Sequence, residues 1–365
     1  MNATDMSEPA SAPRPALPAW LAAQLADLLP RPGHAWLLQG PRELGQFDLA
    51  LALASAWLCE QPHPAGACGQ CASCHSLAVH THADFLALMP ETHMLALGWP
   101  LPEKAQAELD DKKRKPSKEI RVEAMREVIE FAQRTSARGR GKAVLVYPAE
   151  RMNAITANAL LKTLEEPPGD VRFVLATEAA HLLLPTIRSR CLTHTLRWPD
   201  PEQALAWLQA QGLEAAAARA LLQAAGGRPA GAQALAEEAR ATAKSTSKTK
   251  SPPVPDDGRA AAAAWAALPR ALARGDGQAL AHLPTAEAVA RLQKLCADLM
   301  ALQVGAPPRF FAPADLPAHP LALPALSKWW SKLTQSARSA EHPLNAALTL
   351  EYLVSSAQQA LNSRA

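Results

Sequence analysis

The chain has 365 residues, of which 48% are hydrophobic and 19% are charged, and its formal net charge is +3. Such a length accommodates two or three domains with cores of their own. The small net charge gives no independent reason to expect nucleic-acid binding. No apolar run reaches the ~20 residues that a membrane span requires, so we expect no membrane partner. Residues 1–18 are rich in Ala and Pro and lack a secretory signal pattern, which predicts a disordered N-terminus and a cytoplasmic protein.

Strands and helices alternate over residues 19–198, which favours an α/β domain with a parallel sheet. Short apolar runs between turn residues predict the strands, and amphipathic or alanine-rich stretches predict the helices. In chain order we expect a helix over 18–29, a strand over 35–38, a helix over 47–57, a strand over 83–88, a helix over 120–134, a strand over 142–147, a helix over 153–166 and a strand over 172–177.

A glycine frame follows the first predicted strand. Gly40 and Gly45 have the G-x-x-x-x-G spacing of a phosphate-binding loop. Such a loop continues with Lys, which reaches the β- and γ-phosphates, and then with Ser or Thr, which holds Mg²⁺. This chain has Gln46 and Phe47 at those positions. A tight turn between a strand and a helix produces the same frame, so the glycines alone leave both interpretations open.

The strand predicted over 142–147 ends in Tyr147 and Pro148. In an ATPase of this architecture, these two positions carry the acids that orient Mg²⁺ and the attacking water. The phosphate lysine, the metal-binding hydroxyl and both strand-end acids are therefore replaced together. We expect a nucleotide-binding fold that has no ATPase activity of its own.

Four cysteines lie close together in the sequence, at Cys59, Cys68, Cys71 and Cys74. Thiolates with C-x-x-C spacing are the ligands of tetrahedral structural zinc, and cytosolic thiols rarely form disulfides. We predict a Zn²⁺ module over 59–74, in which Cys59 ends the preceding helix. In the alternative, Cys59 is a buried core thiol, and His63 or His75 completes the site.

Residues 92–118 have the composition of an exposed insertion, which ends in a positively charged run over 112–118. A solvated loop is the usual meaning of such a run, and contact with a DNA backbone is the more specific one. Both interpretations stay open.

Two further motifs lie in the second half of this domain. Residues 158–168 read Asn-Ala-Leu-Leu-Lys-Thr-Leu-Glu-Glu-Pro-Pro, and residues 189–191 read Ser-Arg-Cys. Together with the cysteine module, these motifs closely resemble the signatures of clamp-loader subunits, which belong to the AAA+ class. The resemblance covers residues 34–197, about half of the chain. Within that family the ATPase subunits keep an intact phosphate loop, and this chain resembles a subunit that has lost it.

The resemblance implies a place in a five-subunit ring with the ATPase subunits, gamma or tau, and a delta subunit. Such a ring loads the sliding clamp on primer–template DNA during replication, as an accessory to a DNA-directed DNA polymerase at the nucleoid. It also implies that Arg190, supported by Ser189 and Cys191, acts in trans on the γ-phosphate held by a neighbouring ATPase subunit. Arg188 is the weaker candidate. A buried structural Arg190 with Cys191 packed in the core is the alternative.

The rest of the chain has helical periodicity without a chemical motif. We expect a small helical lid domain over 199–240, a flexible linker over 241–258 and an all-α domain over 259–365. By the resemblance, the last of these is the collar that assembles the ring. Trp329 and Trp330 are either interface anchors or core residues, and Cys296 is expected to be a packing residue.

Two other functions stay open at this point. An active AAA+ ATPase with an atypical loop would bind ATP as an isolated chain, and Gln46, Tyr147 and Pro148 weigh against it. A zinc-containing DNA-binding protein would show salt-dependent DNA affinity in residues 1–197. The cysteine module lacks the interleaved basic and aromatic residues that this second function favours.

Overall fold

The chain folds into two compact units, which meet in sequence between Trp198 and Pro199. The structure is a computed structural model that describes residues 17–246, 257–340, 342 and 345–363. Most of the segment predicted to be disordered, residues 1–18, therefore lies outside the described residues. None of the described helices is long and apolar enough to cross a membrane.

A parallel five-stranded sheet forms the centre of the first unit. The strands are β1 Ala35–Gln39, β2 Phe85–Leu88, β3 Lys142–Val146, β4 Val171–Thr177 and β5 Leu192–Thr195. They lie in the order β2-β3-β4-β1-β5, and each pairs in parallel with its neighbours. Every residue of β3 is buried. Continuous burial of this kind is expected for a parallel strand covered on both faces.

Helices provide that cover because their leucine- and alanine-rich faces match the apolar sheet. The helices of this unit are α1 Ala19–Leu28, α2 Gln46–Leu58, α3 Ala72–Ala78, α4 Glu91–Ala96, α5 Glu103–Asp110, α6 Val122–Gln133, α7 Ala154–Glu165 and α8 Pro185–Arg188. Helix α2 packs against β3 and β4. Met125 of α6 and Leu160 of α7 share a buried cluster with Val144 and Phe173 of the sheet.

The eight elements predicted for this unit are all confirmed, with ends shifted by at most two residues. Five short helices and strands were not predicted, namely α3, α4, α5, α8 and β5. The edge strand β5 contains Thr193, His194 and Thr195, so it lacks the apolar run by which a strand is predicted. Helix α3 begins inside the cysteine module, where the glycines and prolines favour a loop.

Within the basic run over 112–118, the side chain of Arg114 forms ion pairs with Glu91 and Glu108. Residues 92–118 contain most of α4 and all of α5, and Arg114 turns inward between carboxylates of these two helices. Its Nη2 lies 2.8 Å from Glu91 Oε1, and its Nε lies 2.6 Å from Glu108 Oε2. A guanidinium shared by two acids joins the end of the segment to α4 and α5, which a count of charges does not reveal.

The second unit is helical. Its helices are α9 Pro201–Ala210, α10 Ala215–Ala224, α11 Pro229–Thr246, α12 Arg259–Ala273, α13 Gln278–Ala281, α14 Thr285–Gln303, α15 Leu323–Ser339 and α16 Ala346–Leu361. Helix α12 contributes Ala261 to the cluster built by α9–α11 and Trp265 to the cluster built by α12–α16. Residues 199–365 thus form one compact unit, whereas the sequence predicts a lid and a collar as separate domains.

Predictions for the linker, for Cys296 and for the two adjacent tryptophans of this unit can be compared with the structure. The predicted start of the linker at residue 241 is wrong, because α11 continues to Thr246 through good helix formers such as Ala241 and Lys244. Residues 247–256 of that linker lie outside the described residues. Cys296 is a buried packing residue as expected. Trp329 lies in the core, while Trp330 is 38% exposed.

Asp84, one residue before β2, fixes the turn that leads into β3. Its buried carboxylate accepts hydrogen bonds from the backbone N–H of Ala137 at 2.7 Å and of Arg138 at 2.8 Å, and from the Ser136 hydroxyl at 3.0 Å. Burial alone would raise the pKa of Asp84, but these hydrogen bonds hold it below its ordinary value.

We predict that Asp84→Asn lowers the free energy of unfolding by about 3 kcal/mol, because the amide cannot accept from all three donors. Since the pKa of folded Asp84 is depressed, the loss should persist above about pH 4 and shrink as the pH falls through the lower folded value. Urea unfolding at several pH values measures both effects. Asp170→Asn, at an exposed acid, is the matched control and should change stability by less than about 0.5 kcal/mol. Equal stability of the two variants at pH 7 would contradict the prediction.

Candidate functional sites

The sequence positions that indicate a lost nucleotide site come together at one edge of the sheet. The loop 40–45 follows β1, and Tyr147 follows β3. Glu178, which the sequence analysis did not single out, follows β4 and contacts Tyr147. The carboxyl ends of neighbouring parallel strands form the crevice in which α/β proteins bind ligands. The structure therefore gives this loop the location of a nucleotide site.

The side chain of Gln46 forms hydrogen bonds with the backbone of the loop that precedes it. Gln46 is 2% exposed, and its Nε2 donates hydrogen bonds to the carbonyl oxygens of Gly40 at 2.7 Å and Pro41 at 2.6 Å. Gly45 has φ 95°, and a Cβ there would lie 2.5 Å from Leu21 Cδ1, so this position needs glycine. The glycine frame is retained for the turn, while the position of the phosphate lysine holds a neutral amide turned back on the loop.

The two positions that would hold Mg²⁺ form an aromatic contact. Phe47 stands where the metal hydroxyl belongs and Tyr147 where the first strand-end acid belongs, and their ring centroids are 5.2 Å apart. Trp99 meets the edge of Phe47 at 6.3 Å, and His93 meets Tyr147 at 5.9 Å. Sequence reasoning missed Trp99 and His93 because they lie in the segment predicted to be exposed.

The acids near this edge are engaged by protein donors. The Tyr147 hydroxyl donates to Glu178 Oε1 at 3.0 Å, and Arg42 Nε lies 2.8 Å from Glu178 Oε2. Glu150 accepts from the Thr177 hydroxyl at 2.6 Å. Burial raises the pKa of Glu178 and that of Tyr147. The edge is thus a packed aromatic and hydrogen-bonded surface, with its carboxylates committed to neighbouring residues.

The four cysteines of the predicted module form the second site. Cys59 follows α2, Cys71 caps the N-terminus of α3, and Cys74 lies in its first turn. Backbone N–H groups point at the sulfurs, with Cys68 N 3.2 Å from Cys59 Sγ and Cys74 N 3.4 Å from Cys71 Sγ. Such donors stabilise the thiolate form.

The spacing of the sulfurs fits a tetrahedral metal ion. Cys59 Sγ lies 3.9 Å from Cys71 Sγ and 3.7 Å from Cys74 Sγ, and Cys68 Sγ lies 3.9 Å from Cys74 Sγ. All four sulfurs fall within 4.8 Å of one another. Thiolates at ~2.3 Å from one zinc ion would be about 3.8 Å apart, because the edge of a tetrahedron is 1.63 times that radius.

Cys59 is buried and nevertheless belongs to this cluster, so a four-sulfur set is complete without His63 or His75. The thiols differ in acidity. Burial raises the pKa of Cys74, whereas at Cys71 hydrogen bonds from the backbone N–H of Cys74 and Glu60 outweigh burial and lower the pKa to about 6. Low thiol pKa values favour metal coordination, because the thiolate is the ligand.

A buried hydrogen-bonded pair fastens the module to the domain. The Ser73 hydroxyl donates to the Leu58 carbonyl oxygen at 2.8 Å, and His82 Nε2 lies 2.5 Å from Ser73 Oγ. His82 Nδ1 accepts from the Asp84 N–H at 3.0 Å, so Nε2 carries the ring proton. The pair joins the residue before Cys59 to the helix that carries Cys71 and Cys74. Sequence reasoning missed both residues, which lack a recognisable motif.

The Ser-Arg-Cys motif forms the third site. Arg190 is 31% exposed along its side chain, so the alternative of a fully buried arginine does not hold. Its Nε lies 2.5 Å from Glu165 Oε1, and its Nη1 donates to the Thr186 carbonyl oxygen at 2.9 Å. Cys191 packs against the sheet cluster, and burial raises its pKa to about 12. Arg188 is exposed.

Residues around Arg190 support its backbone. The Ser189 hydroxyl donates to the Thr186 carbonyl oxygen at 3.1 Å, and Ile187 is fully buried beneath the motif. The motif therefore has a base formed by the buried Ile187 and the partly buried Cys191, and a partly exposed cationic side chain between them. This arrangement can present a guanidinium to an anion outside the chain.

Comparisons with known proteins show which subunits the first half of the chain resembles. Residues 25–200 match the family described as DNA polymerase III, delta subunit. The chain is 40% identical over 205 residues to DNA polymerase III subunit delta′ of Pseudomonas aeruginosa, covering 55% of each chain. It is 37% identical over 175 residues to the same subunit of Escherichia coli, covering 48% of this chain and 46% of that one. The chain thus spans about half the length of the delta-prime relatives it matches.

Two further comparisons concern the fold and the wider family. The chain is 34% identical over 170 residues to DNA polymerase III subunit tau of Escherichia coli, covering 47% of this chain and 22% of that one. A DNA polymerase III gamma subunit-related protein from Thermotoga maritima superimposes with a TM-score of 0.51 at 19% identity, over 94% of this chain and 100% of that one. At that identity the likeness concerns the fold alone. By the family match and the delta-prime relatives, residues 25–200 resemble the delta-prime subunits of DNA polymerase III.

Proposed function

We propose that this chain is a delta-prime subunit of a bacterial clamp loader that does not hydrolyse ATP. It would join ATPase subunits of the gamma or tau kind and a delta subunit in a five-subunit ring in the cytoplasm, near the nucleoid. That ring would load the sliding clamp on primer–template DNA. The observation that carries the proposal is the contact between Phe47 and Tyr147, which replaces a magnesium site in a chain of this family.

The absence of intrinsic hydrolysis follows from chemistry at one edge of the sheet. Phosphoryl transfer needs a cation on the β- and γ-phosphates, a metal ion and an oriented water. Gln46 supplies no charge and bonds to its own loop. Phe47 and Tyr147 supply no metal ligand in their present contact. Each requirement of the reaction is therefore unmet by the residue at the corresponding position.

We predict that the isolated chain neither binds ATP tightly nor hydrolyses it. Titration calorimetry with ATP, with and without Mg²⁺, should give no heat of binding at micromolar nucleotide. An ATPase subunit of the same clamp loader, titrated in parallel, is the positive control. Mg²⁺-dependent binding at micromolar ATP would contradict the prediction and favour an active AAA+ ATPase with an atypical loop.

The cysteine cluster supports a structural Zn²⁺ site. The ligands would be Cys59, Cys68, Cys71 and Cys74, which would fill all four positions of a tetrahedral ion. An ion with four protein ligands has no open position for a substrate. Zinc would therefore supply stability, by joining the end of α2 to the start of α3.

We predict one zinc ion per chain, measured by elemental analysis of the purified protein. Cys71→Ala should lose most of the metal and destabilise the first unit, because metal binding contributes directly to folding in such modules. Cys191→Ala, which changes a partly buried cysteine outside the cluster, is the matched control and should keep its zinc. Full metal content in Cys71→Ala would show that the assignment is wrong.

The position of Arg190 supports a role in trans. A guanidinium supplied by a neighbouring subunit can stabilise the charge that develops on the γ-phosphate. Arg190 is partly exposed and lies next to the buried Ile187, so it can be presented without disturbing the core. A subunit without ATPase activity can still increase the rate of hydrolysis at a neighbour in this way.

We predict that Arg190→Ala folds and assembles normally but lowers ATP turnover at the adjoining partner site. Trans arginines contribute about 10³-fold or more in rate, and the loss in the whole complex should be smaller because other sites remain. Arg190→Lys should restore little, because an ammonium lacks the planar fork. The measurement is clamp- and DNA-stimulated ATPase in rebuilt complexes, with Arg188→Ala as the control. Unchanged turnover in a confirmed complex would make Arg190 a structural residue.

A further inference from the structure

The two signature motifs of the first unit meet in space. Glu165 belongs to the segment 158–168 and is the last residue of α7, while Arg190 belongs to the Ser-Arg-Cys motif. Their side chains form an ion pair in which Nε and Nη2 of the guanidinium both contact the same carboxylate oxygen, Glu165 Oε1. Glu165 and Arg190 are 25 residues apart in the chain, and their contact joins the two motifs in one local structure.

The hydrogen bonds divide the guanidinium into a held part and an uncommitted part. An arginine has five N–H donors. One each on Nε and Nη2 faces Glu165, and one on Nη1 donates to the Thr186 carbonyl oxygen. The other two donors have no hydrogen-bond partner among the residues that the structure describes, and the side chain is 31% exposed. A guanidinium held in this way can still donate two hydrogen bonds to an external anion.

A second carboxylate lies next to the first and gives a comparison within the chain. Glu166 follows Glu165 and is exposed. It is the C-cap residue of α7, with φ −129° and ψ 78°. Glu165 alone of the two has its carboxylate against the guanidinium. The two residues carry the same charge, and direct contact with the guanidinium distinguishes Glu165 from Glu166.

We propose that Glu165 is a positioning residue for Arg190. It holds the guanidinium in one orientation at the surface of the subunit, so that the two remaining donors meet the phosphate oxygens of a nucleotide bound by the neighbouring subunit. This inference rests on the proposed function of Arg190 in trans. A long, flexible side chain that is ordered beforehand loses less freedom when it reaches the transition state.

The test is a double-mutant cycle in complexes rebuilt with the wild-type chain, Glu165→Gln, Glu166→Gln, Arg190→Ala or the double variant Glu165→Gln with Arg190→Ala. Glu165→Gln keeps the shape of the side chain but removes its charge. We expect it to lower kcat at the affected site by about tenfold with little change in KM, because orientation acts in the transition state. Glu166→Gln should match the wild type.

The double variant should be no slower than Arg190→Ala, because Glu165 acts only through Arg190. Additive losses would overturn the inference and assign Glu165 a separate role. If Arg190→Ala lowers turnover while Glu165→Gln equals or exceeds the wild type, the positioning inference fails and the trans role of Arg190 stands. If Arg190→Ala has no effect, both proposals fail.

A second measurement on the free chain tests positioning without any partner. The Nε–H signal of Arg190 in a ¹⁵N nuclear magnetic resonance spectrum should be resolved and slow to exchange in the wild type and in Glu166→Gln. It should exchange faster in Glu165→Gln, whose folding is checked by circular dichroism. Equal exchange in all three proteins would overturn the inference even if turnover changed.

Discussion

Parallel pairing of β1, β3 and β4 is the constraint on which the rest of the first unit depends. Because these strands run side by side in one direction, the residues that follow them meet at one edge, although they come from positions 40–47, 147–150 and 178. The same pairing buries both faces of β3 and so requires α2 on one side and α6 and α7 on the other. Everything that the first unit presents at this edge follows from that geometry.

At this edge, packing stands at the positions where an ATPase of this architecture has charged and metal-binding groups. A nucleotide and a metal ion bring charge that lysine, hydroxyl and carboxylate groups balance. The rings of Phe47, Tyr147 and Trp99 pack against one another instead, and Arg42 neutralises Glu178 from within the chain. The edge is therefore stable without a ligand, which suits a subunit whose proposed work is done by an arginine elsewhere on its surface.

The sequence predicts the sheet and its main helices because their apolar runs are long and are bounded by turn residues. It also predicts the cysteine cluster, because four metal-ligating thiols with C-x-x-C spacing lie within one short segment. The positions of Gln46 and Tyr147 were identified as substitutions in a nucleotide site, but their new partners were not. Those partners depend on contacts across the fold, and a sequence pattern records only near neighbours.

The residues that sequence reasoning missed share a physical cause. Trp99 and His93 lie in a segment whose charges suggest exposure, yet their rings pack against Phe47 and Tyr147. Arg114 of the same segment is paired with Glu91 and Glu108 of its own helices. Ser73 and His82 are common residue types, and their importance comes from a hydrogen bond that neither position predicts alone. A pair of unremarkable residues becomes informative only when the fold brings its members together.

The aromatic contact between Phe47 and Tyr147 also bears on how this lineage can change. Recovering a nucleotide site would require Lys, a hydroxyl residue and strand-end acids at separate positions, and no single step is favourable by itself. Lysine at position 46 would bury an ammonium whose present neighbours are two carbonyl oxygens. A small residue at position 47 would leave a gap beside Trp99 and Tyr147. A carboxylate at position 147 would face Glu178 and Glu150. We therefore expect each single substitution toward a nucleotide site to lower the stability of this edge. Selection could act on ATP hydrolysis only after all of these substitutions had accumulated, so evolution back to an ATPase is disfavoured.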